Sequence, residues 1–240
     1  QSGKTYQTIN PATETVMAEM SACDAADVDL AVKAARAAFN SGHWSRMAAR
    51  DRGAILQKLA ELVLENADSL ALMECLNVGK PIMEARMADI NLASAALKWY
   101  GEAIDKITDE IIATPDNVRA TITREPMGVV GVVVPWNFPL LMACWKIAPA
   151  LAAGNSIILK PSEQTPQSIL KLAELAIEAG IPDGVFNVAP GTGIDAGAAI
   201  GLHQDVDCLT FTGSTKVGKK FLEYSGQSNM KAVWLECGGK

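Results

Sequence analysis

Between residues 24 and 40, Ala31, Ala34, Ala35 and Ala38 recur at helical spacing with Ser21 or Asp24 available as a cap, so the pattern predicts a helix. Helical stretches are also predicted at 50–65 and 67–76, before Gly79 and Pro81 punctuate the chain. From Pro81 onward, Met83, Met87, Ile90, Ser94, Leu97, Gly101 and Ile104 form one stripe at intervals of three and four, expected to face the core. The opening GKTYQTINPATE reads as extended or turn structure.

Residues 106–113 and 118–124 alternate, with β-branched residues, around Pro115, Asp116 and Asn117, which predicts a hairpin. It could be an arm that pairs with another subunit or a simple surface hairpin. After Pro126 the pattern becomes strand and helix in turn. Strands are expected at 129–134, 156–159, 184–188, 208–211 and 231–235, with helices at 141–152, 167–179, 194–202 and 216–224. The fold class is therefore α/β: a helical N-terminal region, a hairpin, and a parallel sheet covered on both faces. Ligands bind such a sheet at the carboxyl ends of its strands.

Composition narrows the function. The formal charge of -6 is spread over 240 residues and Lys and Arg form no run, which argues against nucleic acid and for small molecules. Five cysteines without a C-x-x-C spacing, beside two histidines, suggest neither a disulfide framework nor a metal site, and fit a reducing cytoplasm. Apolar segments are interrupted before spanning length, so no membrane segment is expected. The first residue is Gln and the chain stops at LECGGK, so both ends are expected to be cut ends.

Polar residues cluster where the predicted strands end. Asn137, between Pro135 and Pro139, is either an amide donor for an oxygen that gains charge or a helix cap. Trp136 and Phe138 beside it line a pocket or close the core. Lys146 sits in the apolar helix LLMACWKIAPAL, where a buried ammonium needs a partner and a snorkelling one does not. In LKPSE, Lys160 and Glu163 flank Pro161; a carboxylate there either accepts both hydroxyls of a ribose or caps the next helix. In FTGSTKVG, Gly213 gives the backbone room and Ser214 can cap a helix whose first amides hold a phosphate, although this is neither G-x-G-x-x-G nor Walker A. In WLECGGK, Glu236 follows apolar residues, so partial burial is expected to suit it to base catalysis near neutral pH; a surface Glu is the alternative. Cys237 is read as an inert thiol.

In this order, PWNFP, KPSE, FTGSTKVG and LECGGK resemble the NAD(P)-dependent aldehyde dehydrogenase superfamily, and the likeness runs over essentially the whole chain, including NPAT, VGKPIMEA and IPDGVFNV. The resemblance implies a Rossmann-type NAD-binding core at 127–240, an N-terminal extended and helical part at 1–104 and an oligomerisation arm at 105–126, with the C-terminal catalytic domain absent. It implies Asn137 as the oxyanion donor, Glu236 as the general base and Lys146 as its proton relay. It implies Lys160 and Glu163 on the adenosine ribose, Gly213 and Ser214 at the pyrophosphate and Trp136 in the cofactor wall. NAD is favoured over NADP, because a carboxylate repels a 2'-phosphate.

The implied reaction oxidises an aldehyde to an acid through a cysteine thiohemiacetal and thioester, with a nucleophilic cysteine some thirty residues beyond Glu236 and absent here, so the chain alone is expected to be inactive. VGKPIMEARMADI and KWYGEAIDKI resemble members acting on polyamine-derived aldehydes, and Met142 and Trp145 fall where relatives line the substrate tunnel. A homodimer or homotetramer is implied for the full-length protein. Cys237 departs from the commoner LELGGK. A CoA-acylating or phosphorylating relative, or a non-catalytic nucleotide-binding module, is the competing reading; Glu236 favours hydrolysis.

Overall fold

The computed structural model describes residues 3–238, so Gly239 and Lys240 of the last motif lie outside the described residues. The opening segment forms an antiparallel pair, β1 (Thr5–Ile9) with β2 (Val16–Ser21), where the sequence suggested only extended or turn structure. Helix α1 (Ala25–Ser41) is capped by Asp24, not Ser21: the Asp24 carboxylate accepts from the Ala26 and Asp27 amides while Asp27 accepts from the Asp24 amide. α2 (Ala49–Glu65) and α3 (Ala67–Val78) follow within two residues of the expected bounds, and Gly79 at φ +84 closes α3 in a conformation that a Cβ would strain.

The long stripe after Pro81 is broken. A short α4 (Ile82–Glu84) enters a π turn (Ala85–Asp89) before α5 (Ile90–Ala103). The wider turn shifts the helical phase, so Met83 and Met87 are 66% and 61% exposed, while Ala85 and Asp89 turn inward. Beyond it Ile90, Ser94, Leu97 and Gly101 face the core as expected. α5 lies close against α2 because Gly53 and Gly101 meet: a Cβ on Gly53 would stand 2.3 Å from the Gly101 carbonyl oxygen.

β3 (Glu110–Ile112) and β4 (Ala120–Ile122) pair in the expected hairpin. Ile111, Ile112 and Ile122 are all exposed. Its base is fixed by Arg124, whose amide donates to Asp109 and whose guanidinium pairs with Glu110 at 2.6 Å.

The rest alternates: β5 (Val129–Val133), α6 (Pro139–Ala152), β6 (Ser156–Lys160), α7 (Gln167–Ala179), β7 (Phe186–Val188), a π turn (Gly193–Gly197) running into α8 (Ala198–Leu202), β8 (Cys208–Thr212), α9 (Thr215–Gln227) and β9 (Ala232–Glu236). The five strands are parallel in the order β7-β6-β5-β8-β9, so successive connections turn in opposite directions on either side of β5. Alternation along β5 divides the core: Val130 and Val132 join Leu140, Ile147 and Leu172, while Val129 and Val133 join Val32, Ile200 and Phe221.

Coverage fails at one edge. Ala232, Trp234 and Glu236 of β9 are exposed and alternate with half-buried Val233 and Leu235, so one face of that strand is bare. In the centre, Leu159 is fully buried between sheet and helices. Leu159→Ala is expected to destabilise the chain by about 2–5 kcal/mol through the cavity it leaves, read as a lower denaturation midpoint at unchanged slope.

Candidate active site

β5 delivers the first site residues. Trp136 is 53% exposed and Asn137 is exposed beside it. Helix capping does not employ Asn137: α6 starts at Pro139 with Phe138 in the cap position and no side-chain cap bond. Pro suits that first turn because its missing N–H would have no helical partner. Further along α6, Lys146 is half-buried, and its Nζ donates to Thr210 Oγ1 of β8 at 2.9 Å. Burial lowers the Lys146 pKa, and the charge of Glu236 partly opposes this. Met142 packs half-buried on the helical core. Trp145 instead borders a shallow groove of about 240 Å³ with Ala96, Trp99 and Tyr100.

β6 ends in a charged pair. Lys160 is buried and its Nζ donates to Glu163 Oε2 at 3.0 Å, leaving the carboxylate half exposed. Burial lowers the Lys160 pKa against the pull of Glu163. For Glu163 burial acts upward, but the Lys160 charge and hydrogen bonds outweigh it and hold the carboxyl below its usual range. Glu163 caps no helix, since α7 begins after Pro166 without a side-chain cap bond. A cleft of about 640 Å³ opens beside this pair, lined by Trp136, Glu163 and Gln164 on one side and by Tyr6, Thr8 and Asn77 on the other.

β8 and β9 end together. The Gly213 amide donates to the Glu236 carbonyl at 3.1 Å, and Ser214 caps α9 by accepting from the Val217 amide at 3.3 Å. Packing also demands a small residue at Gly213: a Cβ there would stand 2.4 Å from the Phe211 ring. Glu236 is exposed, not partly buried, because it lies on the bare face of the edge strand. Cys237 turns the other way, half-buried near Gly218. Burial pushes the thiols of Cys144, Cys208 and Cys23 upward, which disfavours their thiolates. No group of three residues suited to hold a metal occurs among the described residues, and no helix there is long and apolar enough to cross a membrane.

Because β6, β5, β8 and β9 are consecutive in the sheet, their carboxyl ends place Lys160 and Glu163, then Trp136 and Asn137, then Gly213 and Ser214, then Glu236 along one edge. Lys146 joins them from α6. Two groups escaped the reading by motif. Thr210, inside β8, is the hydroxyl that Lys146 holds. Glu74, 1% exposed on α3, accepts from the Leu140 amide at 3.2 Å and from Ser168 Oγ, with Lys80 4.0 Å away and Lys80 paired to Asp89. An acid inside ALMECLNV carries the same signal as a lysine inside an apolar helix.

Burial pushes the Glu74 carboxyl up to about 7, against the hydrogen bond from Ser168, the Lys80 charge and the Leu140 amide. Between pH 4.5 and 7 the folded state therefore keeps a proton that the unfolded chain releases. Stability from this group is present in full below that window and falls as pH rises through it. Glu74→Gln is expected to flatten that part of the melting temperature against pH curve; an unchanged slope would show that Glu74 does not titrate there.

Residues 1–240 match the model of the aldehyde dehydrogenase family. The chain is 51% identical over 237 residues to the NADP/NAD-dependent aldehyde dehydrogenase PuuC of Escherichia coli (strain K12), covering 99% of this chain and 48% of that protein. It is 50% identical over 238 residues to an aminoacetaldehyde dehydrogenase of Pseudomonas aeruginosa, again over 99% and 48%. Among solved structures, an indole-3-acetaldehyde dehydrogenase complexed with NAD+ superposes with a TM-score of 0.98 at 53% identity, over 99% of this chain and 48% of that one. A γ-glutamyl-γ-aminobutyraldehyde dehydrogenase from Burkholderia cenocepacia J2315 gives 0.98 at 49%, over 100% and 48%. The chain thus spans about half the length of the curated relatives it matches. With the motif residues of four neighbouring strands gathered on one sheet edge, the chain belongs to the aldehyde dehydrogenase family.

Proposed function

We propose that this chain forms the cofactor-binding part of an NAD-dependent aldehyde dehydrogenase that converts an aminoaldehyde to the corresponding carboxylic acid. The observation that carries this reading is the gathering of half-buried Lys146, hydrogen-bonded to Thr210, with Asn137, Ser214 and Glu236 at the carboxyl ends of neighbouring strands.

The residues present fit NAD. Glu163 stays ionised beside Lys160 and half exposed, as needed to accept both hydroxyls of a ribose. Ser214 caps a helix of 13 residues, whose N-terminal dipole favours a pyrophosphate, and Gly213 and Trp136 stand beside that path. When bound, NAD supplies the acceptor for the hydride leaving the aldehyde carbon.

The chain's own residues act on either side of that transfer. Asn137 donates to the aldehyde oxygen as a cysteine thiolate adds to the carbonyl carbon, and again when water adds to the thioester. Glu236 takes the proton of that water, and Lys146 with Thr210 offers the proton an onward route. The nucleophile belongs to none of the five cysteines of this chain. Met142 and Trp145 line the approach of the aldehyde. Residues 105–126 act as the oligomerisation arm between an N-terminal part (1–104) and the NAD-binding core (127–240), in a cytoplasmic dimer or tetramer. The exposed isoleucines of β3 and β4 support that role.

The full-length protein should form one acid per NADH from aminobutyraldehyde-type substrates without CoA, whereas a strict need for CoA or phosphate would overturn the hydrolytic reading. The chain alone is expected to bind NAD by calorimetry and to oxidise no aldehyde. Glu163→Gln should weaken NAD binding about tenfold, by loss of charged hydrogen bonds, and narrow the preference over NADP. Equal NAD affinity in that variant would remove Glu163 from the ribose site.

A further inference from the structure

The turn that carries Asn137 is gripped from three directions by side chains of other elements. On one side of Asn137, the Thr165 hydroxyl donates to the Trp136 carbonyl at 3.1 Å. On the other, the ammonium of Lys80 lies 4.2 Å from the centre of the Phe138 ring. Two residues further, the Leu140 amide donates to Glu74 Oε1 at 3.2 Å. Thr165 and Glu74 are each 1% exposed, and the Lys80 side chain is 8% exposed. Asn137 itself is exposed, and α6 has no side-chain cap of its own. The first turn of that helix therefore takes its acceptor from α3, a separate element, where a terminal amide would ordinarily find Ser, Thr, Asp or Asn in its own cap.

We propose that Glu74, Thr165 and Lys80 form a clamp on residues 136–140 that positions the Asn137 amide toward the reacting carbonyl oxygen, with Glu74 as its principal anchor. The proposal rests on the reading of Asn137 as the oxyanion donor. Oxyanion stabilisation depends on donors already in place when charge develops. An exposed side chain on a five-residue link between a strand and a helix is held only as firmly as its backbone. Glu74 is itself fixed by Ser168 of α7 and by the Lys80–Asp89 pair, so the clamp ties the link to α3, α7 and the π turn. Cys144 of α6 also lies within the field of this carboxylate. These are positioning residues: none of them touches the reacting atoms.

The test is made on the full-length enzyme with NAD and an aminoaldehyde. Glu74→Ala should lower kcat about tenfold or more, the scale set by small misplacements of a reacting group, while KM for NAD stays unchanged. Glu74→Gln keeps an oxygen acceptor for the Leu140 amide and should recover kcat to within about twofold, since the bond and not the charge places the turn. In a double variant, adding Glu74→Ala to Asn137→Ala should cost nothing further, because the first acts only through the second. Where Glu74→Ala does not fold, Thr165→Val removes the other anchor with little change of shape and should show the same kcat loss and the same lack of additivity. Wild-type kcat in both Glu74→Ala and Thr165→Val, or losses that multiply with Asn137→Ala, would overturn the clamp while leaving the oxyanion role of Asn137 intact. Wild-type kcat in Asn137→Ala alone would overturn that role and the clamp with it.

Discussion

Glu236→Gln in the full-length enzyme is expected to lower steady-state acid formation by about 10²–10⁴-fold, the range for removal of a general base. Gln keeps the size and the hydrogen-bonding oxygen but cannot take a proton from water. The first turnover, which ends at the thioester, should survive. Rapid mixing should therefore show a burst of about one NADH per site followed by slow turnover, the pattern of an accumulating covalent intermediate. Loss of the burst together with the steady state would place Glu236 before hydride transfer and not in hydrolysis. Full acid-forming turnover would remove it from the reaction. The exposure of Glu236 on the bare face of β9 bears on this result. An exposed carboxylate is within direct reach of the water whose proton it would take. Burial lowers the Lys146 pKa and the Glu236 charge partly opposes this, so the carboxylate favours the charged form of Lys146.

The parallel core was legible because each signal there is local. Apolar runs of strand length, helices of crossover length and glycine or proline at their ends predicted all five strands of the sheet, with β7 shorter than expected at Phe186–Val188. Strand order was not legible, since it depends on packing between distant segments. The helical stripe after Pro81 failed for a different reason. Met83 and Met87 fit the 3.6-residue period, but no composition marks a π turn, so the phase error between 85 and 89 was invisible. The β1–β2 hairpin was missed because its polar residues at 10–15 looked like a loop with nothing on either side to pair.

At the site, residue identity was legible and environment was not. Glu236 stood next to apolar residues in sequence, which suggested burial. Trp234 is 65% exposed on the same face, so those neighbours do not cover it. Gly213 illustrates the same limit: the motif suggested backbone room, and the close approach of the Phe211 ring, 2.4 Å from where a Cβ would stand, is a second demand that no pattern reveals. Lys146 was the strongest single-residue signal, and it has the partner that a buried ammonium requires. That partner, Thr210, faces it from a strand 64 residues later in the chain and could not be paired with it by pattern. Glu74 escaped for a related reason: its contacts reach α6 and α7, and none of them lies within its own helix.

Asn137→Ala is expected to lower kcat by about 10²–10³-fold, the cost of removing one oxyanion donor, with NAD affinity unchanged. The side chain is exposed, and no helix cap depends on it, since α6 begins at Pro139 without a side-chain bond. Its removal should therefore leave the melting temperature within about a degree, as for surface changes remote from packing. That separation makes the experiment decisive. A fall in kcat with unaltered stability and cofactor binding locates the loss in the transition state. Asn137→Asp should be at least as damaging, because a carboxylate would face an oxygen that is gaining negative charge. Should Asn137→Ala instead raise the KM for aldehyde with kcat intact, the amide binds substrate and transition state equally and is no oxyanion donor.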